Sequence, residues 1–237
     1  MIGDSKPAMN TLYGVDWQND PKCQLHYCGI NLDSFSNNEV NRTKVRRELG
    51  LPDDVPVIGH VGRISEPKNH KFLVDVFAEF VSLHPEAYLL LVGDGPMRPM
   101  IETYVHEIGL WDRVIFTGVK KNVSELMLAM DIFVFPSLYD SLPQAVIEAQ
   151  VSGLRCLISE CISEEAAAIP DAVYYLSLNL GPKIWAQVVE TLLQKGRIQP
   201  FEVQPYISSP LLSAKHSVAL LQKLYINALK TAHLRGK

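Results

Sequence analysis

Residues 55–96 read VPVIGHVGRISEPKNHKFLVDVFAEFVSLHPEAYLLLVGDGP. The apolar run Val55–Val61 ends at Gly62 and predicts a buried strand. Over His70–Leu83, the residues Phe72, Leu73, Val76, Phe77, Phe80 and Val81 recur at helical spacing. Ala87–Val92 is a second apolar run, closed by Gly93-Asp94-Gly95-Pro96. Strands that are apolar on both faces and alternate with helices belong to a parallel sheet covered on both sides.

The alternation extends in both directions. Val114–Thr117, Ile132–Phe135 and Arg155–Ser159 read as further strands. Met97–Ile108, Val123–Met130 and Pro143–Val151 read as the helices between them. Upstream, Gln24–Ile30 reads as a short strand and Val40–Leu49 as a polar-faced helix stopped by Gly50 and Pro52. The expectation is an α/β fold: a doubly wound, Rossmann-like parallel sheet over residues 24–180, with its ligand site beyond the carboxyl ends of the strands. After residue 160 the alternation weakens. Ile184–Leu193 predicts a helix, residues 199–210 with three prolines a crossing loop, and Leu211–His233 a long helix packed on the periphery. Residues 1–23 show no such order and read as a residual linker from a missing N-terminal domain, which leaves 24–237 as one binding domain.

Composition narrows the class. The chain has 237 residues, 47% hydrophobic and 20% charged, which excludes disorder and a coiled coil. Its formal charge of −4 argues against nucleic acid as a partner and against a polybasic membrane anchor, while leaving room for a local basic pocket. No apolar run approaches the ~20 residues of a transmembrane helix. The opening MIGDSKPAMNTLYG lacks a basic segment followed by an apolar one, so no secretory signal is visible. Cys23/Cys28 and Cys156/Cys161 share a C-x4-C spacing. Cys28 and Cys156 lie in apolar, strand-like runs and no His-x3–5-His companion exists, so no metal site is expected. The expectation is a cytoplasmic protein with reduced thiols.

The chemistry should lie in the loops after the strands. In Gly59–Asn69, glycines allow close backbone approach, and Arg63 and Lys68 place two cations at a strand's mouth, which suits a diphosphate. A tight turn with solvated cations would look the same. Gly93 belongs to an Asp-Gly turn before a helix. Gly118 ends a strand where backbone groups could read a flat base. The strongest segment is FPSLYDSLPQAVIEA, residues 135–149, where a strand, a polar loop and a helix start follow one another. Ser141 and Gln144 have capping-box spacing, and Pro143 fits the first turn. The helix-start amides offer an anion site, bracketed by Asp140 and Glu148. Counted from Leu142, Glu148 lies about six residues into the helix, ~9 Å along its axis.

Jointly, Val61-Gly62-Arg63 with Lys68-Asn69, Leu91–Pro96, and the acidic-x7-Glu spacing of Asp140 and Glu148 resemble the C-terminal, donor-binding half of retaining GT-B glycosyltransferases of family four, the glycosyl transferases group one. Phe116-Thr117-Gly118 and Ala129–Ser137 fit the same pattern. The resemblance covers about Leu25–Ser159 and extends toward Leu229. It implies catalytic roles for Arg63, Lys68, Asp140 and Glu148. Arg63 and Lys68 would neutralise the donor diphosphate, Asp140 would stand near the donor sugar and Glu148 would bond the ribose. Gly62, Gly93, Gly118 and Val119 would border the nucleotide, and Ser141, Leu142 and Pro143 would form the phosphate-facing turn. Asp140 replaces the family's Glu, a reach shorter by about 1.5 Å, and Ser141 stands where Gly is common.

The resemblance further implies a nucleotide diphospho-sugar donor, foremost a UDP-sugar, with no cofactor and no metal. The acceptor would be a glycan or lipid-linked hydroxyl in polysaccharide or glycan synthesis. An acceptor-domain subunit and peripheral attachment at the inner membrane face are compatible with it. The alternative is a non-catalytic nucleotide-sugar-binding module that needs a partner subunit; a sugar-nucleotide epimerase of related architecture ranks below both.

Overall fold

The computed structural model describes residues 1–35, 39–206, 209 and 212–235. Its first half runs β1 (Ile2–Gly3), α1 (Lys6–Tyr13), β2 (Gln24–Leu25), α2 (Glu39–Glu48), β3 (Val57–Val61), α3 (His70–Val81), β4 (Tyr88–Val92) and α4 (Arg98–Glu107). Next come β5 (Val114–Phe116), α5 (Val123–Ala129), β6 (Ile132–Phe135), α6 (Gln144–Val151), β7 (Arg155–Ser159) and β8 (Val173–Leu176). The last elements are α7 (Gly181–Gln194), α8 (Pro200–Val203) and α9 (Ala214–Arg235). Two compact units result: Phe35–Gln204, and Met1–Ser34 together with Pro205–Lys237.

The larger unit holds one six-stranded sheet in the order β5-β4-β3-β6-β7-β8, parallel throughout. The chain starts at β3, moves out to β5, then crosses back to β6 on the other side. β3 and β6 are therefore the switch point at which ligand clefts form in such sheets. Successive residues Val57 and Ile58 are both fully buried, as a strand with two covered faces requires. On one face, Ile58, Leu89, Leu91, Ile132, Val134 and Leu157 share a core with α3 and α7. α3 buries Leu73, Val74, Val76, Phe77 and Phe80, and α7 buries Trp185, Val189 and Leu192. The Trp185 indole N–H donates to the Ser177 carbonyl at 3.0 Å, so this large side chain is buried with its one polar group satisfied.

The amino ends of β3 and β6 are tied through Asp131. Its carboxylate accepts from Arg42, from Arg46 at 2.7 Å and from the Val57 amide at 2.8 Å. The same arginines, with Arg197, also close the end of α5. Arg42 donates to the Leu128 and Met130 carbonyls, Arg46 to Ala129, and Arg197 to Met127 and Met130. Cations on the last carbonyls of a helix satisfy orphan acceptors and oppose the negative end of its dipole. Arg46 is almost wholly buried; desolvation pulls its pKa down and Asp131 resists.

Three sequence expectations change. The strand at Gln24 is only two residues long and pairs with β1, so the large sheet starts at Val57 rather than at residue 24. β8, unforeseen, adds the sheet's second edge; all four of its residues are half-buried, so it lacks the fully apolar run that marks the central strands. Cys28 is exposed and lies outside a strand, whereas Cys156 is buried in β7.

In the smaller unit, residues 1–23 carry folded structure where the sequence reads as an unpatterned linker. β1 and β2 pair in parallel, Ile2 with Gln24 and Gly3 with Leu25, and α1 lies in the crossover. Ser5 caps α1 by accepting from the Ala8 amide at 3.2 Å. Met9 is fully buried, and a Cβ on Gly3 would come within 2.6 Å of its sulfur. The expected long C-terminal helix is present as α9; Leu211, its expected first residue, lies outside the described residues. The start of α9 is sewn to the segment after β2. The Ala214 amide donates to the Ile30 carbonyl at 3.2 Å, and Ser217 Oγ meets His26 Nε2 at 2.9 Å.

Replacing Asp131 by Ala leaves the buried Arg46 guanidinium without its carboxylate partner and the Val57 amide without its acceptor. The expected cost is about 3 kcal/mol of unfolding free energy by urea titration. Asp54→Ala serves as a surface control and should cost under about 0.5 kcal/mol. Equal stability of the two variants would contradict the hub role.

Candidate functional site

The carboxyl ends of β3 and β6 carry the loops that hold Arg63, Lys68 and Asp140. The β3 loop closes with a 3-10 turn, Glu66–Lys68, followed by Asn69 in the left-handed region at φ 54°. Asn tolerates that conformation better than most residues, which accounts for Asn after Lys68. The two loops are zipped at Pro67. Its carbonyl accepts from the Leu138 amide at 2.8 Å and from Ser137 Oγ at 2.6 Å. Ser137 is buried and in turn accepts through its carbonyl from Ser159 Oγ at 2.6 Å. Above this clamp Lys68 Nζ donates to Asp140 Oδ2, and the ammonium lies 4.8 Å from the Phe135 ring centroid. Both side chains are about one-fifth exposed. Two residues expected to serve a donor are thus partners of each other.

Arg63 stands apart. It is exposed and makes no side-chain hydrogen bond or ion pair among the described residues. Glu148 also makes no such bond among them, but it is half-buried, and burial raises its pKa. α6 begins at Gln144 with Pro143 as its cap residue. Glu148 is therefore one residue into the second turn, about 6 Å along the axis from Gln144 rather than ~9 Å. The expected Ser141–Gln144 capping box is not formed, because the helix starts two residues later than that box requires. Among the described residues, the amides of Gln144 and Ala145 have no acceptor and stand as orphan donors of the first turn. Leu142 and Pro143 are buried beneath that turn, and Ser141 is half-buried beside it.

The glycines of these loops pack the loops against one another. Gly93 sits at φ 136°, and a Cβ there would lie 2.0 Å from the Gly62 carbonyl oxygen. A Cβ on Gly95 would lie 2.3 Å from the carbonyl oxygen of Ile64. Ile64 donates to the Asp94 carbonyl at 3.0 Å, and Met97 donates back to Ile64 at 3.1 Å. These glycines let the loops after β3 and β4 stack backbone on backbone. Gly93 also donates to the Gly118 carbonyl at 3.0 Å. Gly118 adopts φ 69°, and the next residue, Val119, is 79% exposed. A large apolar side chain held that open offers a ready contact for a flat ring.

Sequence reasoning missed the floor of the site. His60 is fully buried at the end of β3, and its Nδ1 lies 2.9 Å from the Val134 carbonyl. A carbonyl only accepts, so Nδ1 carries the proton and Nε2 is bare. His70, at the start of α3, packs edge-on against it with ring centroids 4.7 Å apart. Among the described residues, His60 Nε2 and both His70 nitrogens have no hydrogen-bond partner. Burial lowers the His60 pKa to about 4, the Val134 contact resisting and Lys68 adding a little to the fall. His70 falls to about 2, from burial first and then from His60 and Lys68. The sequence signal was His60 standing inside an apolar strand run, a position where a polar side chain needs a reason.

The six-stranded parallel sheet flanked by helices has the architecture of the C-terminal domain of a GT-B fold. Solved structures agree. Anabaena HepE in complex with UDP superposes with a TM-score of 0.77 at 19% identity, over 94% of this chain and 63% of that one. The C-terminal domain of the LpcC group 1 glycosyl transferase from Francisella tularensis gives 0.58 at 18% identity, over 83% of this chain and 98% of that one. Residues 41–177 match the family of glycosyl transferases group 1, and the chain belongs to that family. EpsF of Bacillus subtilis, whose curated name assigns it as a glycosyltransferase, is 33% identical over 224 residues. The alignment takes in 94% of this chain and 58% of EpsF, so the chain spans less than two thirds of that relative. No helix among the described residues is long and apolar enough to cross a membrane.

The neutral histidine pair makes a signed prediction. Free histidine titrates near 6.5, and both folded values lie below that, so the unfolded chain takes up protons first. Stability present at neutral pH is lost as pH falls from 6.5 toward 4. At pH 5 the loss should be about 2 kcal/mol per imidazole. Urea titrations at pH 7 and pH 5 should show it, and His70→Phe should remove roughly half of the difference. A pH dependence in His70→Phe identical to the parent's would show that His70 is not a buried neutral base.

Proposed function

We propose that this chain is the donor-binding part of a retaining glycosyltransferase that moves a sugar from a nucleotide diphospho-sugar, a UDP-sugar first among them, to a hydroxyl of a glycan or lipid-linked acceptor. One observation carries the reading: Lys68 and Asp140 meet at the sheet's switch point, beside the orphan amides of Gln144 and Ala145. Cation, helix start and carboxylate together match a diphosphate joined to a polyhydroxyl ring. In use, Lys68 turns from Asp140 to the phosphates, and Asp140 accepts hydrogen bonds from sugar hydroxyls. Arg63, exposed and unpaired among the described residues, closes over the diphosphate from outside. Glu148, half-buried and without a side-chain partner among them, accepts from the ribose, while Val119 and Gly118 meet the base.

Catalysis on this reading is electrostatic. Charge that develops on the departing diphosphate is met by fixed cations and amides, with neither metal nor cofactor. A UDP-sugar donor and a lipid-linked acceptor are supported by the name of one relative, the UDP-Gal:alpha-D-GlcNAc-diphosphoundecaprenol alpha-1,3-galactosyltransferase of Escherichia coli, and the role we assign is in polysaccharide or related glycan synthesis. The second reading is a nucleotide-sugar-binding module completed by a partner that brings the acceptor.

Calorimetry against UDP, GDP and ADP tests the reading and names the base; absence of binding to all three would sink it. Arg63→Ala should weaken nucleoside diphosphate binding by about 1.5–3 kcal/mol, the range for hydrogen bonds to charged groups. Glu148→Gln should weaken UDP but leave 2′,3′-dideoxy-UDP unchanged, since only the former offers the hydroxyls; equal losses would remove the ribose role. Transfer needs donor and acceptor held together with water excluded. The isolated 237-residue chain should therefore bind nucleotide yet transfer little sugar in a radiolabel assay. Efficient transfer with retention would refute that expectation.

A further inference from the structure

We infer that His60 is a positioning residue for diphosphate capture: its imidazole fixes the gap between the loop bearing Arg63 and Lys68 and the loop bearing Asp140. The inference rests on the donor-site reading above. β3 and β6 register at only two positions, Ile58 with Ile132 and Gly59 with Phe133. Beyond them no further pair is registered between the two strands among the described residues. His60 is the next residue on β3, and its Nδ1–H donates to the Val134 carbonyl of β6 at 2.9 Å. A side chain thus continues the pairing that the backbone gives up.

The ring touches both loops. A Cβ on Gly62 would lie 3.1 Å from His60 Nε2 and 3.8 Å from Lys68 Cγ, so the Gly62–Arg63 turn rests on the imidazole beside the lysine stem. On the β6 side, His60 stacks against Phe135 at 5.2 Å and an interplanar angle of 16°. That is the ring over which the Lys68 ammonium lies. His70 closes the remaining side edge-on. Burial holds both imidazoles neutral at neutral pH, so the floor contributes geometry and no charge. A phenylalanine at 60 would keep the stack and lose the link to Val134. An asparagine places its side-chain N–H near the former Nδ1 position and keeps the link.

The test is UDP affinity of the full chain by calorimetry, beside its thermal unfolding. His60→Phe should bind UDP about tenfold more weakly with a cooperative unfolding transition retained, and His60→Asn should lie within about threefold of the parent. A parent that binds no nucleoside diphosphate overturns the donor-site reading itself. A parent that binds UDP, with His60→Phe binding equally well, overturns the positioning role alone. The parent protein gives an independent readout should His60→Phe not fold. In spectra of 15N-histidine-labelled chain, the His60 ring should show a protonated Nδ1 and a bare Nε2, and its signals should move on saturation with UDP. Ring signals indifferent to bound UDP, or a proton on Nε2, would overturn the inference.

Discussion

The larger unit depends on a short seam. β3 and β6 are the two central strands, yet they share only two register pairs before they part. A parallel sheet reverses strand order at such a seam, and the parting that opens a cleft also removes backbone hydrogen bonds. The molecule compensates at both ends. At the amino end, Asp131 binds Arg42, Arg46 and the Val57 amide, and the Asp131 amide donates to the Val57 carbonyl at 2.9 Å. At the carboxyl end, the Pro67 carbonyl collects Leu138 and Ser137, while His60 reaches Val134. The two strands are fastened at both ends of the seam.

That arrangement decides what each loop can contribute. The loops after β3, β4 and β5 form one interlocked layer through Gly62, Gly93, Gly95 and Gly118, with carbonyls packed where side chains would otherwise stand. Arg63 is exposed on this layer and Lys68 is partly buried. Across the seam, α6 offers unpaired amides at its start and Glu148 one turn later.

Much of this was legible in the sequence because burial on both faces leaves a continuous apolar mark. β3, β4, β6 and β7 read directly from such runs, and the helices between them from their spacing. β8 is an edge strand with half-buried residues, so its run in Val173–Leu176 is too short and too open to stand out. The Gln24–Ile30 run misled because its apolar residues are fixed by α9 and by β1, partners no local pattern reveals. Among site residues, Lys68 and Asp140 are adjacent in space as their motif positions suggest. The Ser141–Gln144 spacing matched a capping box, yet Pro143 carries extended backbone at ψ 105° and delays the helix. The histidine floor was hidden because its logic lies between strands: His60 answers a gap beside Val134 that appears only once β6 is placed.

The pairing of Lys68 with Asp140 has a consequence for how the cleft meets its surroundings. An open cationic mouth gathers small anions from the solvent, and any incoming phosphate must then displace them. Here the inner cation is already matched by a carboxylate, so the cleft holds little net charge of its own and attracts few counterions. Ions screen surface charges over ~10 Å at 0.1 M salt, but they act weakly on a pair in direct contact. On the donor-site reading proposed above, entry of an anion is an exchange of partners at Lys68, to which the surrounding electrolyte is largely a bystander. The exposed Arg63 is left as the part of the site that feels the ionic strength of its medium.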